Sequence, residues 1–386
     1  MRAHLWELGS TVFTYYFITE NCSYHLLSLL EIADPSLDLQ SQFPMFTAPS
    51  DTVRLVANTP GLVVDTVYRP SQLSRLKQQA ESFNANELSL VKALARDSDR
   101  AEKKLDYQVL QEEKKAAVVS AAIDHHRVFS EYENRSESLK NLQRLRSNLP
   151  AKKTLNQIKR YSTPPHLGHG SSRIGFGIGF DESGSFEEVR FRGAFHDLLE
   201  REISYPPNTQ IEVLNARLRL ENEQRRFRLE ELKLINVVSL VPWSSLIRKP
   251  SWDAGFGWRR LRNSNCGELC APFYIEAGSG LAFATSLLDR ELFYFLTNFY
   301  LQTSPSLPGD FRFGPQAEVG MLVDMTTNAK LSLKALYDYS PFLSFATDYR
   351  FVADMRLSLS NTTDFRATAT QFEQGTEVVA GLHWFF

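Results

Sequence analysis

From about residue 171 to the last residue, apolar and polar positions alternate with a period of two, the spacing of strands that show one face to each side of a sheet. Clusters of Gly, Pro, Asn and Asp interrupt the alternation where turns belong. They divide the stretch into about twelve strands, beginning near Ser171, Phe186, Thr209, Phe227, Ser251, Pro272, Glu291, Phe311, Ala329, Asp348, Phe365 and Thr376. Each strand with its turn takes roughly 18 residues, which suits a barrel whose strands need about 9–11 residues to cross a bilayer. In Ile211–Leu220, Leu214, Ala216, Leu218 and Leu220 share one face, and Asn215, Arg217 and Arg219 share the other. Apolar outside and polar inside is the alternation of a membrane barrel. A soluble β-sandwich or a lipocalin-like barrel alternates too.

The pattern before residue 171 is different. Residues from about Asn84 to Lys153 are rich in Glu, Lys, Gln, Ala and Leu and contain neither Pro nor Gly before Pro150. They predict helices, with a break at Asp97-Ser98-Asp99 and a solvated charged face at Glu112–Lys115. Residues 1 to about 80 read as α/β. One or two strands are expected within Leu5–Ile18, and a helix from Cys22 to Ala33 that ends at Asp34-Pro35. A capped helix start is expected at Ser50-Asp51 and a short strand over Leu62–Val67. The fold class is therefore α+β, in three parts. A partial α/β domain covers 1–83, a helical connector 84–160 and an antiparallel β-barrel 161–386.

Composition narrows the function classes. Lys and Arg number 43 against 45 Asp and Glu, so no net charge favours nucleic acid. No apolar run approaches the roughly 18–20 residues of a membrane helix; the longest, near Leu232–Trp243, is broken by Lys233 and Asn236. The negative mean hydropathy fits a barrel with a polar lumen. Aromatic residues make up 12% of the chain, with 27 Phe and 14 Tyr. No leader is read from Met1–Glu7, where Trp6 and Glu7 stand in place of an apolar core.

Of three cysteines, Cys266 and Cys270 lie close together in a loop-like segment and would pair in an oxidising compartment. That leaves Cys22 at a predicted helix start, where the dipole and unpaired N–H groups favour a thiolate. The bland alternative is a small buried hydrophobe. His25 follows three residues later on the same helix surface, and Asn21 suits an N-cap. A nucleophilic Cys22 would take oxyanion donors from the Cys22 and Ser23 N–H groups. Asp124-His125-His126 does not read as a metal site, because adjacent helical residues point apart. Pro164-Pro165-His166-Leu167-Gly168-His169-Gly170 reads as a turn into the first strand, in preference to a loop whose two histidines meet a metal or the Cys22 site. No cofactor or metal is implied.

The stretch Thr14–Leu27, with Asn21-Cys22-Ser23 followed by Leu26-Leu27, preceded by Tyr15-Tyr16-Phe17 and Leu5-Trp6-Glu7, resembles the Lnb N-terminal periplasmic domain family. Ala48–Thr52 and Tyr68–Ser71 resemble it too. That family is similar to permuted papain-like thiol enzymes of the lecithin retinol acyltransferase type, and its characterised branch is associated with N-acylation of bacterial lipoproteins. The resemblance implies Cys22 as nucleophile, with Asn21 and His25 as neighbouring candidates. It begins in the middle of a domain, so the strands and histidine that would complete the site are expected upstream of Met1. The final strand, with Val378, Ala380, Leu382, Trp384 and Phe386 on one face, resembles the C-terminal signal of bacterial outer-membrane barrels.

Two readings follow. In the first, a thiol acyltransferase or hydrolase acts on membrane lipid or lipoprotein, inactive as this chain alone. In the second, the chain is a non-enzymatic outer-membrane barrel, scaffold or narrow pore, with a periplasmic adaptor. Both place the barrel in the outer membrane and the N-terminal part in the periplasm, and neither sets an oligomeric state.

Overall fold

The computed structural model describes residues 2–130, 135–150, 164–202, 205–261, 270–285, 290–307, 309–340, 347–373 and 375–386. Contacts divide the chain into two units. One comprises 1–64, 162–243 and 249–386, and the other 65–161 with 244–248.

The first unit begins with helices α1 (Arg2–Leu8), α2 (Cys22–Ala33) and α3 (Pro49–Asn58). The expected helix over Cys22–Ala33 is present with those bounds. The strands expected within Leu5–Ile18 and over Leu62–Val67 are not formed; α1 and irregular backbone stand there instead. A strand is stable only when a neighbour satisfies its backbone groups, and no strand precedes residue 173 among the described residues. The apolar side chains of these stretches stay exposed, among them Val12, Tyr15, Tyr16, Val64 and Val67.

The second unit is helical: α4 (Gln72–Ala80), α5 (Ala85–Arg96), α6 (Ser98–Glu102), α7 (Leu105–Gln108), α8 (Glu112–Phe129) and α9 (Arg135–Ser147). Asn84 and Glu87 form a capping box at the start of α5. Asp97 closes α5 and caps α6 with its carboxylate, so the expected break is one residue serving two helix ends. Leu90, Val91 and Leu94 of α5 and Val118, Val119 and Ala122 of α8 form the buried stripe. Asp124 pairs with Arg75 at 2.6 Å, and His126 bonds the Ala95 carbonyl at 2.9 Å and Ser130 at 2.8 Å. Both are structural groups of the helical core. Burial pushes the Asp124 carboxyl up, against the opposing pull of Arg75.

The barrel is a closed ring of twelve antiparallel strands: β1 (Arg173–Asp181), β2 (Gly184–His196), β3 (Thr209–Glu221), β4 (Arg226–Ser239), β5 (Ser251–Arg259), β6 (Phe273–Thr285), β7 (Glu291–Thr303), β8 (Phe311–Asp324), β9 (Ala329–Tyr339), β10 (Thr347–Ser358), β11 (Thr363–Phe372) and β12 (Gly375–Phe385). Each pairs with its sequence neighbours, and β1 closes on β12 with Ile174 opposite Trp384. Closure removes both sheet edges, which a bilayer requires because no water is there to satisfy them.

The exterior is apolar. Along β7, Phe293, Phe295, Phe299 and Leu301 point out, and Tyr294, Leu296, Asn298, Tyr300 and Gln302 point in. Phe299 is 66% exposed in the isolated chain. Val378, Leu382 and Trp384 of β12, and Phe386 just after it, face outward as the alternation predicts. A belt of large apolar side chains around a closed ladder is the exterior of a membrane-spanning barrel.

Candidate functional site

At the N-terminal site, Asn21 is buried and its amide is fully engaged. Its oxygen accepts from the Ser23 and Tyr24 N–H groups at 3.1 and 3.3 Å and from the Ser23 hydroxyl at 2.7 Å. Its nitrogen donates to the carbonyls of Thr47 at 2.6 Å and Phe17 at 3.2 Å. Asn21 therefore caps α2 and ties it to the two chain segments beside it. Cys22 follows at the first helical position, exposed and free. The Ser23 N–H, expected to serve an oxyanion, is already taken by Asn21, so of the two expected donors only the Cys22 N–H is left.

His25 lies one turn along α2, with its ring 5.2 Å from that of Phe13 and 6.0 Å from that of Tyr24. Its Nε2 is buried without a hydrogen-bond partner, and it makes no hydrogen bond to Cys22. His4 lies in α1. Cys270 is disulfide-bonded and wholly buried; Cys266 falls outside the described residues.

The barrel interior holds a denser constellation. Asp197 to Glu202, leaving β2, fold into the lumen. Phe195, just before the turn, has φ 76°, a left-handed value costly for a bulky residue. Leu198 packs on the inward cluster of Leu240, Leu292, Tyr294 and Leu296. Glu200 receives three guanidinium groups: Arg192 at 2.5 Å, Arg173 at 2.8 Å and Arg366 at 3.1 Å. Asp197 pairs with Arg366 at 2.7 Å and with Arg173. Arg356 donates to the Leu199 carbonyl at 2.7 Å, and Lys330 pairs with Glu202 at 2.8 Å. Five cations from β1, β2, β9, β10 and β11 thus hold one loop inside the barrel.

Arg192, Arg173 and Glu200 at the centre of this network are buried, while the Asp197 and Glu202 side chains keep 11% and 30% of their exposure. Arg192 is 0% exposed and Glu200 2%. Burial alone pushes the Glu200 carboxyl up, but Arg192 and its neighbours outweigh that and hold it below the usual range. The Asp197 carboxyl is held well below its usual range in the same way, with Arg366 the largest opposing charge. Isolated, such charges would cost many kcal/mol to bury; paired and hydrogen-bonded, they are tolerated.

The plug residues Asp197, Leu198 and Leu199 border a cavity of about 310 Å³ that is lined by both signs of charge, including Arg217, Lys233, Glu231, Glu318 and Asp354. Beyond it Arg219 bridges Glu188 at 3.2 Å and Glu377 at 3.0 Å over the ring of Phe186.

The segment expected as a turn before β1 contains one 3-10 turn at Pro165–Leu167. His169 follows, buried, stacked on Tyr205 at 4.8 Å and against Phe385 at 4.5 Å, with Nε2 3.4 Å from Glu200. Burial pushes the His169 imidazole down against the pull of Glu200, so it is neutral near pH 7.

Sequence reasoning did not single out Asp197, Glu200 or their arginines. The available signal was arginine recurring on inward strand faces opposite an acidic turn, Asp197-Leu-Leu-Glu200-Arg-Glu202.

The sequence model described as the Lnb N-terminal periplasmic domain matches residues 1–59. Among solved structures, the KdgM porin in complex with disordered oligogalacturonate is 8% identical, covers 55% of this chain and 99% of its own, and has a TM-score of 0.35. The NanC porin is 6% identical, over 55% and 98%, with a TM-score of 0.35. Omp33, an outer membrane protein of Acinetobacter baumannii, is 7% identical, over 56% and 99%, with a TM-score of 0.30. No curated protein matches the chain. A second sequence model, described as a domain of unknown function, DUF7840, matches residues 162–385, more than half of the chain and the whole of the barrel, and the chain belongs to that family.

Proposed function

We propose that this protein is a non-enzymatic outer-membrane barrel with a closed lumen, a scaffold that holds its N-terminal helices on the periplasmic side. The observation that carries this reading is the loop Asp197–Glu202, held inside the barrel by five buried cations. A ring of about twelve strands lies between the roughly eight that side chains can fill and the 16–18 that enclose an aqueous channel. Here a loop and its ion pairs occupy the space that would otherwise conduct. The apolar belt supports the membrane setting, and the match of residues 1–59 to a periplasmic domain supports the side.

Planar-bilayer recording tests the reading. The purified full chain, which should partition into detergent, is expected to insert without steady current. Steady ion flow would replace the scaffold with a narrow pore, and solubility without detergent would remove the membrane setting.

One observation favours the second reading, a cysteine-dependent acyltransferase or hydrolase acting on lipid or lipoprotein: Cys22 is exposed and free at the first position of a capped helix. The engaged Ser23 N–H and the lack of a hydrogen bond from His25 weigh against it. An acyl-thioester on Cys22, found by mass spectrometry and lost in Cys22→Ser, would restore the enzyme.

A further inference from the structure

We propose that helix α3 is the latch of the lumenal plug, so that withdrawal of α3 from the strap 168–171 frees the loop Asp197–Glu202 and opens the barrel. This rests on the closed-lumen reading above.

Two separate chains of contact join α3 to the plug. In the first, Arg54 of α3 donates to the carbonyls of Gly168, at 3.1 Å, and of His169. The same His169 carbonyl accepts from the Tyr205 hydroxyl at 3.2 Å. Tyr205 follows the plug in the same β2–β3 connection, and its ring lies against His169 and against His196, the latter at 4.5 Å. In the second, Asp51 of α3 accepts from the Ser171 hydroxyl. The Ser171 carbonyl accepts from Arg192 at 3.1 and 3.3 Å, and Arg192 is the shortest ion-pair partner of Glu200. Asp51 and Arg54 are themselves paired at 2.7 Å, so α3 presents one unit to both chains.

The two chains are coupled because each crosses the strap. If α3 leaves, the carbonyls of Gly168 and His169 lose a charged donor and the Ser171 hydroxyl loses its acceptor. Tyr205 and Arg192 then bond to a strap no longer fixed from the other side. Hydrogen bonds to a charged group are among the stronger ones, and the buried partners left behind favour rearrangement. What the latch adds is therefore differential: α3 bonds only the arrangement in which the strap sits over the plug. Barrel closure itself does not need α3, since β1 to β12 satisfy one another around the ring.

The full-length chain in planar bilayers provides the test, with heat-modifiable gel mobility confirming a folded barrel for each variant. Arg54→Ala is expected to raise the frequency of opening events at least roughly tenfold over the native chain, the worth of one charge-assisted hydrogen bond. Arg54→Lys, which keeps a charged donor, should recover part of the closure, and Asp51→Asn should act like Arg54→Ala. In a Cys22→Ser background, a thiol placed by Leu198→Cys should be modified faster by a soluble reagent when Arg54→Ala is added. A silent Arg54→Ala beside a conducting Glu200→Gln would overturn the latch and leave the closed lumen standing. A native chain that already conducts would instead overturn the closed lumen. Unchanged Leu198→Cys reactivity in Arg54→Ala overturns the latch in either case.

Discussion

Arg54 and Tyr205 donate to one carbonyl oxygen, that of His169, although one belongs to a helix near the start of the chain and the other to a barrel connection. The periplasmic-domain match and the barrel are thus not merely strung together. The strap before β1 is fixed from α3 on one side and from the plug connection on the other, and its residue Gly170 lies against the final residue of the chain.

Glu200 is the centre of the plug, so Glu200→Gln should cost about 3–5 kcal/mol, as expected when one partner of a buried ion-pair network is removed. Denaturant unfolding of the detergent-refolded barrel measures the loss. A change under 1 kcal/mol, within the range of exposed pairs, would show that the plug charges are solvated.

Acid should act late on the plug. Glu200 and Asp197 are both held below the ordinary carboxylate range. A depressed folded-state pKa gives stability that is whole above the unfolded value and is lost as pH falls through the folded one. Closure should therefore persist as pH falls to about 4 and fail only in stronger acid. Conductance followed over a pH series checks this; opening between pH 5 and 6 would contradict it.

Gly170→Ala should weaken the seam where the chain ends. A Cβ at Gly170 would sit 2.3 Å from the Phe386 carbonyl oxygen, and the neighbouring Ser172 and Phe386 exchange backbone hydrogen bonds at 3.2 and 3.0 Å. Backbone atoms give way less easily than a side-chain tip, so a loss of about 1–3 kcal/mol is expected. A lower temperature for loss of the folded gel band would register it.

Phe299→Arg probes the bilayer setting, since Phe299 faces outward near the middle of β7. A charge on the lipid face should cost about 2–4 kcal/mol near the midplane. Refolding yield in lipid vesicles measures it, and an unaffected yield would argue against a lipid-facing position.

Cys22 should be alkylated in the native, unreduced chain and Cys270 should not, because Cys22 is exposed while Cys270 is buried in a disulfide. Peptide mapping after iodoacetamide treatment reads this directly. Asn21→Ala should cost about 1 kcal/mol through loss of the cap, and more if the bonds to Thr47 and Phe17 cannot be replaced by water.

Much of the barrel was legible because its code is local. Expected and observed strand starts differ by no more than two residues, as with Phe365 against Thr363, and five coincide, at Thr209, Ser251, Glu291, Phe311 and Ala329. Alternation and turn residues suffice when each strand pairs with its sequence neighbour. The N-terminal helix over Cys22–Ala33 was legible for the same reason, through its cap and its proline stop. The strands expected near Leu5–Ile18 and Leu62–Val67 show the limit, because apolar composition makes a strand only where a partner is present. The plug was illegible for a further reason. An acidic turn normally faces water, and only the ring brings Arg173, Arg192 and Arg366, far apart in the chain, to one carboxylate.

The pairing of β1 with β12 also bears on how this protein comes to be folded. Its first and last strands must meet before any edge disappears, so the contacts that complete the ring are the most distant in sequence. Such a topology folds slowly, because loop closure is paid before the final ladder repays it. Until then every intermediate carries two open edges and an unsolvated apolar belt, a species prone to aggregate. Shielding of those edges while the ring closes therefore bears on yield separately from the stability of the finished barrel.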